Sequence, residues 1–563
     1  MLQLQLLLLL SLGNFIVAAD NTKRPHIIFI LADDLGFNDV GFHGSAQIPT
    51  PNIDALAYSG LILNRYYVNP ICTPSRSALM TGKYPIHTGM QHTVLYAAEP
   101  RGLPLNLKLL PQYLNDLGYT SHMAGKWHLG HWKREYTPLY RGFSSHVGCW
   151  SGHHDYNDHT AEEHGYWGLD MRNGTQVAYE LHGEYSTHVV TRHALNVIAT
   201  HNATKGPLFL YVAHMAVHSG NPYNPLPVSD DVLAKLQHIP KLKRRKYAAM
   251  LTELDASVGS IVEQLRKQQL LQNSIIIFST DNGGPAEGFN LNFASNYPLR
   301  GVKNTLWEGG VRGAALLWSP RLQKLPRIAE QTMHIADWLP TLVEAAGGKA
   351  ALANLSSAQL DGQSIWQSLV QNEPSPRKSI LHNIDDIWGS AALTVGDWKL
   401  LQGTHYNGSW DGWYGPEGIR DPQLYYWDEL PKCLAGKAMH QLQLLPSRAN
   451  QQRLRSAATV QCAQQPANPC QPLHAPCLFN IRDDPCERNN LAARYPQVLQ
   501  SLLTELKLQN STAVPPANLP DDPRGAPSLW NYTWTNFGDY TPAAGSMINT
   551  FLSSVINCFW ISP

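Results

Sequence analysis

Neither charge is in excess in this 563-residue sequence: Lys and Arg together number 43, and so do Asp and Glu. A chain without net charge has no general attraction for nucleic acid or for an anionic membrane surface. After residue 19, no apolar run approaches the ~20 residues that a membrane-spanning helix needs. We therefore expect no nucleic-acid partner and no stable membrane anchor, and we interpret the tail at 546–563 as a docked or loose terminus.

Charged residues are also few, at 15%, whereas the sequence contains 16 Trp and 24 Tyr. This is the composition of a folded globular protein rather than a disordered one. The length is sufficient for two or more domains with a large core. No internal repeat is present, and no group of Cys and His has the spacing of a zinc site.

The N-terminal residues 1–19 form an apolar, Leu-rich run that ends in the small residues Ala18 and Ala19. Such a run predicts a secretory signal peptide cut after Ala19, although the usual basic segment is missing and an uncleaved anchor is the alternative. Asn-x-Ser/Thr triplets then favour a glycosylated luminal protein. They begin at Asn173, Asn202, Asn354, Asn407, Asn510 and Asn531.

Five of the eight cysteines lie between Cys433 and Cys486. In a secreted protein this clustering predicts disulfides in the later part of the chain. Cys72 has a separate context, and without it seven cysteines remain. Because seven is odd, at least one more thiol is predicted to be unpaired or intermolecular.

Three continuous apolar runs, at 25–32, 207–213 and 274–280, are typical of strands buried on both faces. Helical stretches separate them, the clearest at 247–267, which predicts an α/β fold with a mainly parallel sheet covered on both sides. Each run ends in polar residues, and strand ends meet at one edge of such a sheet. These residues are Asp33, Asp34, His214, His218, Asp281 and Asn282.

The later part of the chain changes character near residue 380, where strands and loops rich in Trp and Tyr begin. We predict a catalytic domain at 20–380 and a smaller domain at 381–545. The polar stretch 441–468 is expected on the surface. The basic run 241–246, directly before the predicted helix, is expected to be solvated, with a contact to acidic polysaccharide as the alternative.

A helix is predicted to begin near Cys72, because Pro74 suits a first helical turn and Gly82 can end the helix. Cys72 and Arg76 would then lie at a helix N-terminus, where the free N–H groups favour an anion. A small buried cysteine beside a helix cap is the alternative interpretation.

Asp33, Asp34, Asp281 and Asn282 offer only oxygen ligands, which suit Ca²⁺ and, less well, Mg²⁺. A capping or turn pair is the alternative for the two adjacent aspartates. Together with basic side chains, a cation beside a helix N-terminus makes a pocket for a small oxyanion. The basic candidates are Arg76, Lys126 and Lys303, and Cys72 is the only strong nucleophile near them.

The run Cys72-Thr73-Pro74-Ser75-Arg76-Ser77, followed by Thr81-Gly82-Lys83-Tyr84, resembles the signature of the sulfatase family, whose cysteine is converted to formylglycine in the secretory pathway. Residues 118–130 resemble the second signature of that family. The resemblance spans residues 25 to 540 and is nearest to arylsulfatase B and its near relatives. The segments that match this subgroup are 280–284, 298–303, 306–313, 334–341 and 381–385.

The resemblance implies the alkaline-phosphatase-like fold, an α/β/α sandwich with a large, mostly parallel sheet followed by a smaller α+β domain with an antiparallel sheet. It implies Ca²⁺ held by Asp33, Asp34, Asp281, Asn282 and the formylglycine made from Cys72. The implied partners are the formylglycine-generating enzyme during maturation and a sulfated sugar or aryl sulfate as substrate. The implied residence is the secretory pathway and the lysosome, with an extracellular residence as the alternative.

The resemblance also implies roles. One hydroxyl of the hydrated aldehyde attacks sulfur, while the metal, Arg76, Lys126 and Lys303 stabilise charge on the sulfuryl oxygens. His218 or Lys303 protonates the leaving oxygen, and His128 accepts the proton of the second hydroxyl as sulfate is expelled.

Two departures from the family pattern concern the substrate side. In the family, the histidine that corresponds to His218 usually precedes Glu-Pro or a similar pair, whereas Ser219-Gly220 follows His218 here. His214 is therefore a second candidate for the role of this histidine. The region Cys149 to Ala178 matches poorly and is predicted to shape the rim that meets the substrate.

Two other functions remain as alternatives. A phosphatase or phosphodiesterase of the same superfamily binds two metals with histidines, often one where this chain has Asn282. An inactive secreted binding protein is expected to lose Cys72, Arg76 or a metal carboxylate, and all of these are present. The favoured prediction is a sulfatase for N-acetylgalactosamine 4-sulfate in glycosaminoglycans.

Overall fold

The computed structural model describes residues 23–462 and 468–540. The predicted signal peptide (1–19) and the predicted tail (546–563), which contains Cys558, lie outside the described residues. The strands are β1 (His26–Ala32), β2 (Leu61–Leu63), β3 (Tyr66–Tyr67), β4 (Thr120–Gly125), β5 (Ser145–Gly148), β6 (Thr160–Glu163), β7 (Tyr166–Leu169), β8 (Arg172–Asn173), β9 (Gln176–Val177), β10 (Leu208–Ala213), β11 (Ser274–Thr280), β12 (Ala315–Trp318), β13 (Arg327–Ala329), β14 (Met333–His334), β15 (Ser379–Asp385), β16 (Ser390–Val395), β17 (Trp398–Gln402) and β18 (Cys477–Asn480).

The helices are α1 (Pro51–Ser59), α2 (Cys72–Thr81), α3 (Leu110–Asp116), α4 (Ser186–Thr200), α5 (Asp230–Ala234), α6 (Leu242–Lys267), α7 (Glu308–Val311), α8 (Trp338–Ala353), α9 (Trp366–Gln371), α10 (Leu434–Gln441), α11 (Arg448–Ala458) and α12 (Pro496–Asn510). Among the described residues, none of these helices is both long and apolar enough to cross a membrane.

A ten-stranded sheet forms the centre of the molecule, in the order β13-β2-β12-β11-β1-β10-β4-β5-β8-β9. The five strands from β11 to β5 run parallel, whereas β12, β8 and β9 run antiparallel to their neighbours. The prediction of a large, mostly parallel sheet is confirmed, with antiparallel strands at its margins. The three apolar runs are β1, β10 and β11, side by side.

Helices cover both faces of this sheet. Ile28, Ile30 and Ala32 of β1 pack into one hydrophobic cluster with α6, and the alternate residues Ile27, Phe29 and Leu31 pack into another with α8. Successive side chains of a strand point to opposite faces, so an uninterrupted apolar strand needs cover on both sides. The α/β/α arrangement predicted from the apolar runs follows from this requirement.

A second, antiparallel sheet is formed by β15, β16, β17 and β18 in that order, with α12 packed on it through Leu502 and Leu506. The predicted domain boundary near residue 380 falls at the start of β15, and it stays a prediction. The later segment also supplies cover to the large sheet, because α10 packs against α1 and α6.

Two predictions about polar stretches are corrected by the structure. Helix α6 begins at Leu242, so the basic run 241–246 forms its first turns instead of preceding it. Within 441–468, α11 buries Leu454 and Ala458 in the hydrophobic cluster that also contains α6. Only the opposite face of this helix is exposed to solvent. Both differences arise from tertiary contacts that a polar composition does not reveal.

The cysteine predictions agree with the described residues, and glycosylation stays a prediction. Disulfides join Cys462 to Cys486 and Cys470 to Cys477. Within this part of the chain Cys72, Cys149 and Cys433 are reduced. All six sequon asparagines are exposed, as attachment of a glycan requires.

Candidate active site

Four of the predicted metal ligands meet where β1 and β11 end. These strands pair in register, Ala32 with Thr280, so the residues that follow lie side by side. The backbone N–H of Asp34 donates to Asp281 Oδ1 at 3.3 Å, and Asn282 Nδ2 donates to Asp34 Oδ1 at 2.8 Å. Asp33 and the other three are fully buried. The strand ends therefore bring three carboxylates and one amide into a single cluster.

Helix α2 supplies the nucleophile position and ends as predicted. It runs from Cys72 to Thr81, and Gly82 ends it in the left-handed conformation with φ of 65°. Ser75 Oγ accepts the backbone N–H of Asn69 at 2.8 Å and so fixes the chain entering the helix. Cys72 Sγ lies 3.6 Å from Asp33 Oδ1. Burial raises the pKa of the Cys72 thiol to about 12, so the unmodified cysteine is a poor nucleophile.

Three cations neutralise the three carboxylates. Arg76 donates to Asp281 Oδ2 from Nε at 3.1 Å and Nη2 at 2.9 Å. Lys126 Nζ contacts Asp33, and Lys303 Nζ lies 2.8 Å from the Asp34 carboxylate. Buried carboxylates and ammonium groups are tolerated when they are paired in this way. Three carboxylates and three basic groups thus share one buried site.

His128 and His218 both reach the site, each with one ring nitrogen held by a backbone carbonyl. His128 Nε2 lies 3.0 Å from Leu95 O, and its buried Nδ1 has no partner. His218 Nδ1 lies 2.6 Å from Ser219 O, and its Nε2 is 3.5 Å from Asp34 Oδ2. The carbonyls fix the N–H on one nitrogen and leave the other as an acceptor.

Both imidazoles are neutral in this environment. Burial and then Lys126 lower the pKa of His128, while burial and then Lys303 lower the pKa of His218. Burial opposes the charge on Lys303, but Asp34, Cys72 and Asp33 together outweigh it and raise the pKa of that ammonium group. Lys303 therefore holds a proton that the histidines do not.

His214, the second candidate from the sequence, lies elsewhere. It is buried, its Nε2 is 3.0 Å from Ser257 Oγ of α6, and it is not among the residues that line the cleft. The geometry favours His218. Strand β4 ends at Gly125, and His128 in the loop that follows has φ of 60°. The side chains of Lys126 and His128 both reach the site from this loop.

A cleft of about 400 Å³ opens onto Cys72, a size suited to a small ligand. The poorly matching region 149–178 contributes part of its wall, in the place predicted for a rim. Sequence patterns did not single out the individual wall residues, since they come from separate loops. Those outside the predicted site include Tyr96, His153, Glu162, Glu163, Phe289 and Tyr406.

The residues present fit a hard divalent cation. Asn282 Oδ1 is buried and has no hydrogen-bond partner, although its own Nδ2 is used. Ligand atoms of Asp33, Cys72 and Asp281 lie within 4.8 Å of one another, as do those of Asp34, Cys72 and His218. An orphaned carbonyl oxygen beside three carboxylates is the donor set that Ca²⁺ prefers.

The sulfatase family model matches residues 25–348 of the chain. Arylsulfatase J of Mus musculus is 39% identical over 534 residues, which cover 91% of this chain and 80% of that protein. N-acetylgalactosamine-6-sulfatase of Homo sapiens is 32% identical over 408 residues, covering 70% of this chain and 74% of its own length.

The fold has counterparts among solved structures. The sulfatase PsFucS1 from Pseudoalteromonas sp. superposes with a TM-score of 0.64 at 21% identity, over 88% of this chain and 92% of that one. The likeness establishes the alkaline-phosphatase-like fold. Family match, relatives and fold agree, and the chain belongs to the sulfatase family, the sulfuric ester hydrolases.

Proposed function

We propose that this protein hydrolyses sulfate monoesters after Cys72 has been converted to formylglycine by the formylglycine-generating enzyme. The observation that carries the proposal is the position of Cys72, at the base of the cleft and beside paired carboxylates, lysines and histidines. The raised pKa of its thiol supports a need for modification, because a protonated thiol does not attack an ester.

Two groups that the chain would acquire supply chemistry of their own. Hydrated formylglycine supplies two hydroxyls on one carbon, one to attack sulfur and one whose deprotonation lets sulfate leave by elimination. Bound Ca²⁺ supplies positive charge beside the sulfuryl oxygens. The residues that would hold Ca²⁺ are Asp33, Asp34, Asp281 and Asn282, together with residue 72.

The side chains around the cleft divide the remaining work. Lys303 lines the cleft and places positive charge where the sulfuryl group enters, which stabilises its oxygens in the transition state. Lys126 is buried behind the lining on Asp33, and it adds positive charge to the site without direct contact with the substrate. His128 Nδ1 is the acceptor for a proton from residue 72. Lys303 holds the proton for the leaving oxygen, with His218 Nε2 as the nearby partner.

Arg76 is assigned a different role from the one that the resemblance implied. Its guanidinium is fully buried and is occupied by Asp281 and by the backbone oxygen of Lys126 at 3.0 Å. We assign it to holding the metal carboxylate and the Lys126 loop in place, not to direct contact with the substrate.

For the substrate we propose N-acetylgalactosamine 4-sulfate of glycosaminoglycans. The motifs shared with the arylsulfatase B subgroup support the 4-sulfate, and that nearer likeness stays a prediction. The relative named N-acetylgalactosamine-6-sulfatase supports the sugar. Comparing the hydrolysis of the 4-sulfate with that of the 6-sulfate of N-acetylgalactosamine therefore tests this assignment.

Purified protein is expected to hydrolyse an aryl sulfate and N-acetylgalactosamine 4-sulfate, with the 6-sulfate slower by about tenfold or more. Sulfate release gives kcat/KM for each compound, and the matching aryl phosphate serves as control. A preference for the 6-sulfate would overturn the 4-sulfate assignment. A preference for the phosphate would replace the sulfatase by the phosphatase alternative.

We further propose that the protein resides in the lysosome. The exposed sequons at positions such as Asn173 and Asn407 support glycosylation in the secretory pathway. In fractionated cells, glycosylated protein is expected to co-sediment with lysosomal markers. Recovery only from the medium of cells that sort lysosomal enzymes would contradict this residence.

A further inference from the structure

The residues that line the cleft fall into two chemically different groups. At its base are Cys72, His128, His218 and Lys303, where the sulfuryl group is placed by the proposed function. The lining also contains two adjacent carboxylates, exposed Glu162 and buried Glu163, and among the described lining residues no Lys or Arg other than Lys303 is present. Lys303 is already paired with Asp34. Positive charge is therefore confined to the base.

The acidic wall is held in place by a defined set of contacts. Glu163, at the end of β6, is buried and accepts the backbone N–H of Ala97 through Oε2 at 2.7 Å. Its Oε1 lies 3.7 Å from His153 Nδ1, and the His153 ring stacks on His218 at 5.8 Å. Glu162, the preceding residue, is exposed. Burial raises the pKa of Glu163 to about 7.

Aromatic rings form another part of the cleft lining. Phe289 and Tyr406 pack edge to face with centroids 5.3 Å apart, and the Tyr406 hydroxyl accepts a hydrogen bond from Asn304 Nδ2 at 2.6 Å. Tyr96 and Pro222 also line this part of the cleft. Fixed aromatic surfaces of this kind contact the apolar face of a sugar or an aryl ring.

We propose that this cleft selects substrates in which the ring bearing the scissile sulfate carries no other anionic group, and that Glu162 and Glu163 exclude a second sulfate or a carboxylate on that ring. The inference rests on the proposed function and narrows its substrate class to monosulfated, otherwise uncharged rings, of which an N-acetylated hexosamine sulfate is one. A second sulfate would meet carboxylates and aromatic rings without a cation to pair with. Like charges brought together at a partly desolvated surface weaken binding strongly.

The test compares kcat/KM for N-acetylgalactosamine 4-sulfate and its 4,6-disulfate. At about pH 8, above the pKa of Glu163, the wild-type protein is expected to prefer the monosulfate by about tenfold or more. E162Q removes an exposed charge and is expected to lower the ratio of kcat/KM for the monosulfate to that for the disulfate by at least about threefold. E180Q, a substitution at an exposed glutamate outside the lining of this cleft, is expected to leave the ratio unchanged.

E163Q is the second variant, and its thermal midpoint is measured because Glu163 also holds Ala97. If the E163Q protein is folded, its ratio of kcat/KM for the monosulfate to that for the disulfate is also expected to be lower than that of wild type. Equal hydrolysis of the two sugars by wild type, or an E162Q ratio equal to that of wild type, would overturn the inference and leave the proposed function standing. Failure to hydrolyse any sulfate ester, the aryl ester included, would overturn both.

Discussion

Replacing Cys72 by alanine is expected to reduce kcat/KM for an aryl sulfate by at least about ten-thousand-fold. Cys72 is the only residue of the cleft base from which the nucleophile can be made, and alanine offers neither a thiol to oxidise nor an oxygen to attack sulfur. The substitution removes one buried sulfur atom, so the fold is expected to persist with a cost of about 1–2 kcal/mol. Activity and thermal midpoint are measured on the same preparation.

Mass spectrometry of the peptide that contains residue 72 complements this measurement. Active wild-type protein is expected to carry an aldehyde in place of the thiol. Cys433→Ala is the matched control, because Cys433 is also reduced but lies at the start of α10, outside the cleft lining, and its loss is expected to leave activity unchanged. Full activity of Cys72→Ala, or an active protein with an unmodified Cys72, would refute the mechanism.

Apolar runs in the sequence predicted the strands of the central sheet because burial on both faces leaves a simple pattern. β1, β10 and β11 lie within one residue of the predicted ranges, and α2 ends at the predicted glycine. The start of α6 and the buried side of α11 were missed. Their polar residues pack on neighbours distant in sequence, and local periodicity carries no record of such contacts.

The residues at the base of the site could be identified from the sequence about as well as the strands, whereas the residues of the cleft wall could not. Asp33 and Asp281 follow recognisable strands, and Cys72 lies in a motif, so each has a local signal. Glu163 and Phe289 reach the cleft from unrelated loops. Nothing in the sequence around them indicates that they meet, and the only available hint was the weak family match of the segment containing Glu163.

The charge balance of the site explains why a cation and an anionic ester can enter together. Without a metal, Arg76, Lys126 and Lys303 neutralise Asp33, Asp34 and Asp281 by direct contact. A divalent cation adds charge that a sulfate monoester partly offsets. Lys303 contacts Asp34, a carboxylate that would also hold the cation, so in the loaded site the ammonium group of Lys303 would share this partner and could face the substrate.

Removal of divalent cations with a chelator is therefore expected to lower activity by at least about a hundredfold, and Ca²⁺ is expected to restore it. By mass action, Ca²⁺ at about a hundred times its Kd should stabilise the folded state by about 2.7 kcal/mol, which appears as a rise in the thermal midpoint. Asp281→Asn removes one of the three negative charges and is expected to abolish most of that rise.

Asp281→Asn also breaks the buried pair with Arg76, so a fall in stability by itself proves nothing about a metal. Asp337→Asn is the matched control, because Asp337 forms an equally buried pair with Arg377 away from the cleft. Each substitution is expected to cost about 3–5 kcal/mol without Ca²⁺. Only Asp337→Asn should retain the Ca²⁺-dependent rise. An equal rise in both variants, or activity indifferent to the chelator, would place the metal elsewhere or remove it from the mechanism.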